Sequence, residues 1–149
     1  MKIYLDNCCF NRPYDDQSFL SIYLETQAKL AIQALVNENE LNLIWSFILD
    51  YENSVNPDEN IKQEIFNWRS LAKITIRKND TILKKAKEIL KIGLGKKDAL
   101  HLASAFDGKV DYFITVDKGI LKKDSEIREI KIVNPIKFIE IYEETKNEK

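Results

Sequence analysis

Short apolar runs alternate along this chain with longer amphipathic segments, and the alternation restricts the possible folds strongly. The predicted strands are Lys2 to Leu5, Leu41 to Trp45, Lys73 to Arg77, Tyr112 to Val116 and Lys131 to Val133. The predicted helices are Ser18 to about Val36, a segment capped by Ser46 and ended by Pro57, Asp58 to about Arg69, Asp80 to about Ile92, Lys96 to Phe106, a short one ending near Lys123 and one after Pro135. Such alternation predicts an α/β fold with three α/β/α layers around a mostly parallel sheet.

Helical periodicity also predicts which faces of two helices are buried. In the helix after Ser18 we expect the following residues to face the core: Leu20, Tyr23, Leu24, Gln27, Ala28, Ala31, Ala34 and Leu35. On the opposite, solvated face lie Glu25, Lys29 and Gln33. In the later helix Ala99, Leu102, Ala103 and Phe106 are expected to point inward. The segment Asn7 to Gln17, which contains Pro13, is expected to be a loop.

The length of 149 residues is that of one ordinary domain, expected over 1–142 and followed by a charged tail over 143–149. Hydrophobic residues make up 44% of the chain and charged residues 32%, which is typical of a globular protein. No apolar run approaches the roughly 20 residues that span a bilayer, and no signal-peptide pattern precedes Asp6, so a cytoplasmic location and no membrane association are expected.

The net charge of −1 excludes a global positive field that would attract nucleic acid. Any contact with nucleic acid must therefore be local or bridged by a metal ion.

The cysteine and histidine content excludes two kinds of site. Cys8 and Cys9 are adjacent, so they cannot form a useful disulfide framework, and we expect both to be small buried residues. His101 is the single histidine, which rules out a zinc site of the usual composition, and a packing or capping role is expected for it. Any bound metal must therefore be held by oxygen atoms.

Four acidic residues are placed where the carboxyl edge of such a sheet would bring them together. Asp6 and Asp117 directly follow apolar strands, Asp98 lies in the first turn of a helix, and Glu52 lies in the helix after the second strand. Each acid alone is explained by the preference of helix starts and strand ends for acidic residues. Four neighbouring carboxylates would repel one another, and a Mg²⁺ or Mn²⁺ ion would relieve that repulsion. The chemistry predicted for this cluster is phosphodiester hydrolysis.

The segments around these acids resemble the motifs of the PIN-domain family of metal-dependent nucleases, close to its VapC-type toxin branch. The matching segments are Ile3-Tyr4-Leu5-Asp6-Asn7, Ser46-Phe47-Ile48-Leu49-Asp50-Tyr51-Glu52, Lys97-Asp98-Ala99-Leu100-His101-Leu102-Ala103-Ser104-Ala105 and Phe113-Ile114-Thr115-Val116-Asp117-Lys118. The likeness extends over nearly the whole chain. Asn7 departs from the Thr or Ser that many relatives carry, and the following loop through Pro13 also differs.

The resemblance implies a role for each matching residue. Asp6, Glu52, Asp98 and Asp117 are the implied catalytic acids, and all except Glu52 are implied metal ligands. Thr115 is implied to orient an acid or a water, and Asn7 can still bond a ligand water. The resemblance implies that the protein is an endoribonuclease toxin with a small cognate antitoxin. It also implies that the toxin forms a homodimer.

Basic residues near the acidic motifs suggest a positive rim for a phosphate backbone, although a solvated surface explains them equally well. They are Arg12, Lys96, Lys97, Lys118, Lys122 and Lys123. Two other functions stay open: an inactive PIN-like scaffold that binds RNA or protein, and a phosphoacceptor receiver-like module. The receiver requires paired acids after the first strand and an Asp near the end of the third.

Overall fold

The computed structural model describes residues 1–147, and within them it shows an α/β fold in three layers. The strands are β1 (Lys2–Leu5), β2 (Asn42–Ser46), β3 (Ile74–Ile76), β4 (Tyr112–Ile114) and β5 (Ile132–Val133). They form one parallel sheet in the order β3-β2-β1-β4-β5. The helices that flank the sheet are α1 (Asn7–Asn11), α2 (Leu20–Asn37), α3 (Phe47–Ser54), α4 (Glu59–Arg69), α5 (Asp80–Leu90), α6 (Lys96–Asp107), α7 (Lys118–Leu121) and α8 (Pro135–Asn147). The predicted fold class is confirmed.

The first strand occupies the centre of the sheet. Ile3 pairs with Leu43 of β2 on one side and with Tyr112 of β4 on the other. The side chains of Ile3, Tyr4 and Leu5 are fully buried, because the sheet is covered on both faces. The chain turns to opposite sides of β1 to form β2 and β4, so the carboxyl end of β1 is the position where ligands bind in open parallel sheets.

Two predictions about the ends of the domain need correction. The segment after Asp6 is not a loop: α1 begins at Asn7, and a 3₁₀ turn, Arg12–Tyr14, follows it. Proline is tolerated in this turn because Pro13 lies at its start, where no backbone N–H is needed. At the other end, α8 continues to Asn147, so residues 143–147 of the expected tail are helical, and 148–149 lie outside the described residues.

The predicted buried face of α2 is wrong. Leu20 is 70% exposed, and Tyr23 and Leu24 are each 45% exposed. The buried residues of α2 are Thr26, Lys29, Ile32, Gln33 and Val36. Both sets recur at helical spacing, but it is β-branched Ile32 and Val36 that belong to the hydrophobic core, and periodicity cannot decide between the two faces. Phe106, expected inside, is likewise at the surface.

The helices of residues 1–147 include none that is both long and apolar enough to cross a lipid bilayer.

Candidate active site at the carboxyl edge of the sheet

The four predicted acids line one cavity of about 320 Å³ at the carboxyl edge of the sheet. Asp6 leaves the end of β1, Asp117 caps α7 just after β4, and Asp98 lies in the first turn of α6. Glu52 reaches the cavity from α3, whose first turn is capped by Ser46 at the end of β2. The cavity is also lined by Asn7, Cys8, Asn11, Asp15 and Lys97.

Asp6 is held in place by residues that follow β1 and β4. Its Oδ1 accepts a hydrogen bond from the Asn7 backbone N–H at 2.8 Å, and its Oδ2 accepts one from the Thr115 hydroxyl at 2.8 Å. The Thr115 Oγ1 also accepts the Asp117 backbone N–H at 3.0 Å, and the Asp117 Oδ1 accepts the Ile120 N–H at 3.0 Å. Thr115 therefore links two of the acids.

Cys8 has surroundings that the sequence did not indicate. Its thiol is half-buried at the cavity, 3.4 Å from Asp6 Oδ2 and 3.3 Å from Thr115 Oγ1. Cys9 is fully buried, as expected. Cys8 therefore lines the cavity, whereas the sequence predicts a small residue that is simply buried.

A chain of buried polar groups joins Glu52 to the protein interior. His101, 1% exposed, bonds Glu52 Oε1 through Nε2 and the Tyr4 hydroxyl through Nδ1 at 2.6 Å. The Tyr4 hydroxyl also bonds the Ser46 hydroxyl. On its other side, Glu52 Oε2 accepts the Asn7 side-chain amide at 3.1 Å. Glu52 is therefore fixed from two directions.

The His101–Glu52 contact favours the charged form of both groups. Burial alone would lower the pKa of His101, but the hydrogen bond to Glu52 and the nearby charges of Asp6 and Asp98 raise it above its ordinary value. Burial opposes ionisation of Glu52, yet the hydrogen bond and charge of His101 bring its pKa below the usual range. With the imidazole protonated, Nδ1–H donates to Tyr4, whose hydroxyl then donates to Ser46 Oγ.

Sequence reasoning gave His101 only a packing or capping role. One signal was available: it lies three residues after Asp98, nearly one helical turn away and therefore on a neighbouring part of the same face. Its partner Tyr4 lies on β1, 97 residues away in sequence, and helix periodicity carries no information about that pairing.

Asp98 differs from the other acids in its surroundings. Burial raises its pKa to about 6, and repulsion from Asp6, Asp117 and Glu52 acts in the same direction. Asp6, Asp117 and Glu52 each accept at least one hydrogen bond, whereas none to the Asp98 carboxylate is found within residues 1–147. Asp98 is therefore the acid whose charge is least compensated by the protein.

The residues of the cavity fit a hard divalent cation. Its donors are predominantly oxygen atoms with excess negative charge, and the buried Asn7 Oδ1 has no hydrogen-bond partner in the part of the chain that the structure describes. No group of three or more His, Cys, Asp or Glu side chains in that same part is arranged to hold a metal ion. Mg²⁺ usually binds through one or two carboxylates and keeps several waters, so a closed set of protein ligands is not required.

The predicted basic rim is only partly present at the cavity. Lys97 lines it, with its Nζ 5.8 Å from the centre of the Tyr51 ring. Arg12 is instead paired with Glu25 at 2.8 Å and with Asp15 at 3.0 Å. The remaining predicted members are outside the cavity lining: Lys96, Lys118, Lys122 and Lys123.

Asp50, two residues before Glu52, does not line the acidic cavity. Its Oδ1 accepts hydrogen bonds from Trp45 Nε1 at 2.7 Å and from Arg69 Nε at 3.1 Å. It lines a different cavity, between α3 and α4. Trp45 is fully buried and Trp68 half-buried, so both pack against the core.

Comparison with solved structures supports the resemblance at the level of the fold. One chain in the crystal structure of VapBC2 from Rickettsia felis, bound to a DNA fragment from their promoter, is 16% identical with a TM-score of 0.56; the match covers 90% of this chain and 98% of that one. A chain in the 2.2 Å structure of VapBC-1 from nontypeable Haemophilus influenzae is 16% identical with a TM-score of 0.55, covering 91% and 99%. The fold is PIN-like. No protein-family model and no curated protein matches the chain.

We predict that Asp98→Asn stabilises the metal-free protein. An acid whose pKa is raised on folding destabilises the folded state once it ionises. This loss of folding stability therefore develops as the pH rises from about 4 to 6 and remains at higher pH. Thermal unfolding in EDTA at pH 7 should show a gain of ~1 kcal/mol after allowance for solvent screening. The gain should vanish near pH 4. Asp80→Asn, in the first turn of α5, is the control and should show no such gain; equal behaviour of the two variants would contradict the assignment.

We also predict that Tyr4→Phe destabilises the protein by ~1–3 kcal/mol, because it leaves buried His101 Nδ1 without a partner. Urea unfolding measures the change. The matched control is Tyr142→Phe, since the buried Tyr142 hydroxyl has no hydrogen-bond partner within residues 1–147. That control should leave stability unchanged or slightly higher. Similar losses in both variants would show that the bond between Tyr4 and His101 contributes nothing specific.

Proposed function

We propose that this protein is a metal-dependent endoribonuclease, the toxin of a toxin–antitoxin pair. The observation that supports this most is the convergence of Asp6, Glu52, Asp98 and Asp117 in one cavity at the carboxyl end of the central strand. The shared fold with chains from VapBC structures agrees with the proposal. The choice of RNA over DNA rests on the resemblance of the motifs alone.

In this proposal some residues of the cavity bind the metal ion and others orient those ligands. Asp6, Asp98 and Asp117 are the proposed ligands of Mg²⁺ or Mn²⁺. When bound, such an ion polarises a phosphate and lowers the pKa of water. Thr115 fixes the orientation of Asp6, and the Ile120 N–H fixes that of Asp117. These contacts fix the orientation of the two carboxylates, which would reduce the reorganisation that binding an ion requires.

Glu52 has a different proposed role. Its carboxylate is ionised at neutral pH, and His101 and Asn7 each hold one of its oxygen atoms. A carboxylate oriented in this way can accept a hydrogen bond from an attacking water and then its proton. His101, which lies behind Glu52 and bonds buried Tyr4, acts as a positioning residue.

The proposed partners follow from the same resemblance. We propose an RNA substrate, a cognate antitoxin protein and a homodimer, in the cytoplasm. The fold neighbours come from structures described as VapBC, which agrees with a protein partner.

The two other functions are less well supported. An inactive scaffold could contain four acids in one cavity but does not require them. For the receiver-like module, an Asp near the end of β3 would have to lie beside β1. Here β3 is an edge strand followed directly by Arg77, and β1 is followed by Asp6 alone.

We predict that the purified protein cleaves a mixed RNA pool with Mg²⁺ or Mn²⁺ and does not in EDTA. Asp98→Asn should lower the cleavage rate at least ~100-fold, because it removes a negative charge that would help to hold the metal ion, and the ion would stabilise the developing negative charge. Denaturing gels over a time course measure this. Asp80→Asn, purified identically, should cut like the wild type.

Three other results would lead to different conclusions. Equal cutting by Asp98→Asn and the wild type would mean a contaminating nuclease or another site. No cutting together with no stabilisation by Mn²⁺ would favour the scaffold. If Mn²⁺ stabilises the wild type but not Asp98→Asn and the RNA pool is not cut, the proposed metal site would stand. The substrate would then have to be a narrower set of RNAs than the pool contains.

We predict that Lys97→Gln weakens RNA binding in EDTA and reduces the salt dependence of the binding constant. Loss of one phosphate contact should lower the slope of log K against log[salt] by about 0.7 for single-stranded RNA. Fluorescence anisotropy at several salt concentrations measures both quantities. Lys96→Gln, the neighbouring residue outside the cavity lining, is the matched control and should change them less. If replacing both lysines changes neither quantity, these residues do not contact RNA.

A further inference from the structure

Tyr51 is an exposed aromatic residue near the acidic cavity, and the proposed reaction gives it no role. It lies in α3 directly before Glu52, and 54% of its surface is exposed. Val55, four residues later on the same face of the helix, is also exposed. An exposed ring gains little from burial in the folded chain, so much of the Tyr51 side chain is available to bind another molecule.

A contact with Lys97 connects this ring to the cavity. The Lys97 Nζ lies 5.8 Å from the centre of the Tyr51 ring, and Lys97 lines the cavity next to Asp98. Within residues 1–147 Lys97 forms no ion pair, although four acids line the same cavity. Burial raises the pKa of Glu52, but the hydrogen bond to His101 and the charge of Lys97 lower it. An aromatic ring and an ammonium group that forms no ion pair therefore lie side by side at the acidic cavity.

An aromatic ring beside a cation is a combination that binds single-stranded nucleic acid. Unpaired bases stack on aromatic side chains, and positively charged groups contact the backbone phosphates. A metal ion held by the acids would bind the scissile phosphate, so a nucleotide on Tyr51 would be one of its neighbours. Lysine is depleted in the cores of protein interfaces, so the pair of Tyr51 and Lys97 favours a nucleotide over a protein surface.

We propose that Tyr51 stacks on a base of the RNA substrate next to the scissile phosphate, while Lys97 contacts the phosphate backbone. This inference rests on the proposed nuclease function, because it assigns a further substrate-binding residue to the same site. Tyr51 contacts the RNA but neither the metal ion nor the attacking water. Its loss therefore weakens RNA binding more than it slows the chemical step.

The test measures binding of two labelled ten-nucleotide probes by fluorescence anisotropy in EDTA, where the proposed nuclease cannot cut. One probe is an adenosine oligomer, and the other is an abasic oligomer with the same number of phosphates. We expect the wild type to bind the adenosine probe about 5- to 150-fold more tightly, the range that corresponds to stacking of one base. Tyr51→Leu should lose most of this preference, and Tyr51→Trp should keep it. Leucine is a good helix former, so the exposed position should tolerate it.

Two further measurements separate stacking from charge and from catalysis. Tyr51→Leu should leave the slope of log K against log[salt] unchanged because no phosphate contact is lost, whereas Lys97→Gln should lower it. With Mn²⁺ present, Tyr51→Leu should raise KM for RNA cleavage more than it lowers kcat. The matched control is Tyr23→Leu, an exposed tyrosine of α2 outside the acidic cavity, which should behave like the wild type.

Three outcomes would overturn this inference. Equal binding of the two probes by the wild type would show that no base is stacked, whether or not RNA is cleaved. Retention of the preference by Tyr51→Leu would place the base on another residue. A wild-type dimer that dissociates in Tyr51→Leu, measured by sedimentation, would assign the ring to a contact with a second copy of this chain.

Failure of the nuclease proposal can be recognised separately. A base preference that Tyr51→Leu loses and Tyr23→Leu keeps, in a protein that cuts no RNA, would support the stacking by Tyr51 and overturn the nuclease proposal alone.

Discussion

The backbone pairing of β1 with strands on both sides is the interaction on which the rest of the structure depends. β1 is the first element of the chain, yet β2 and β4 bond its two edges, and the Asp6 N–H extends the ladder to Ile114 O at 2.9 Å. This pairing places the ends of three strands at one edge of the sheet. It therefore decides which loops and helix starts are neighbours, and with them the positions of the acidic side chains.

The buried polar chain couples the core and the candidate site. Tyr4 stacks on Phe113 with 5.3 Å between ring centres, so its ring belongs to the apolar core. Its hydroxyl contacts His101 of α6 and Ser46 at the end of β2, and His101 reaches Glu52 of α3. Satisfied polar groups inside a core favour one arrangement of the elements that carry them. The orientation of Glu52 is consequently tied to the packing of three separate elements around β1.

The sequence predicted features that depend on local patterns or on the sheet edge. Strand β1 and the start of α4 after Asp58 are found where patterning placed them, and the acids at positions 6, 52, 98 and 117 share one cavity. Features set by long-range packing were missed. The hydrophobic core includes Ile32 and Val36 of α2, and Leu20 is exposed, although both faces have helical spacing. The partner of His101 and the ion pairs of Arg12 depend on tertiary neighbours that periodicity cannot identify.

The central position of β1 also affects how the chain can fold while it is being synthesised. Until residues 112–114 exist, β1 can pair with β2 alone, and its other edge, including fully buried Ile3, Tyr4 and Leu5, stays open. Pairing across more than a hundred residues is slow, because loop closure must precede the favourable contacts. Asp117 is synthesised only after β4, so an incomplete chain cannot assemble the four-acid cavity. A nascent chain therefore passes through a stage that is prone to strand-to-strand association and has no complete site.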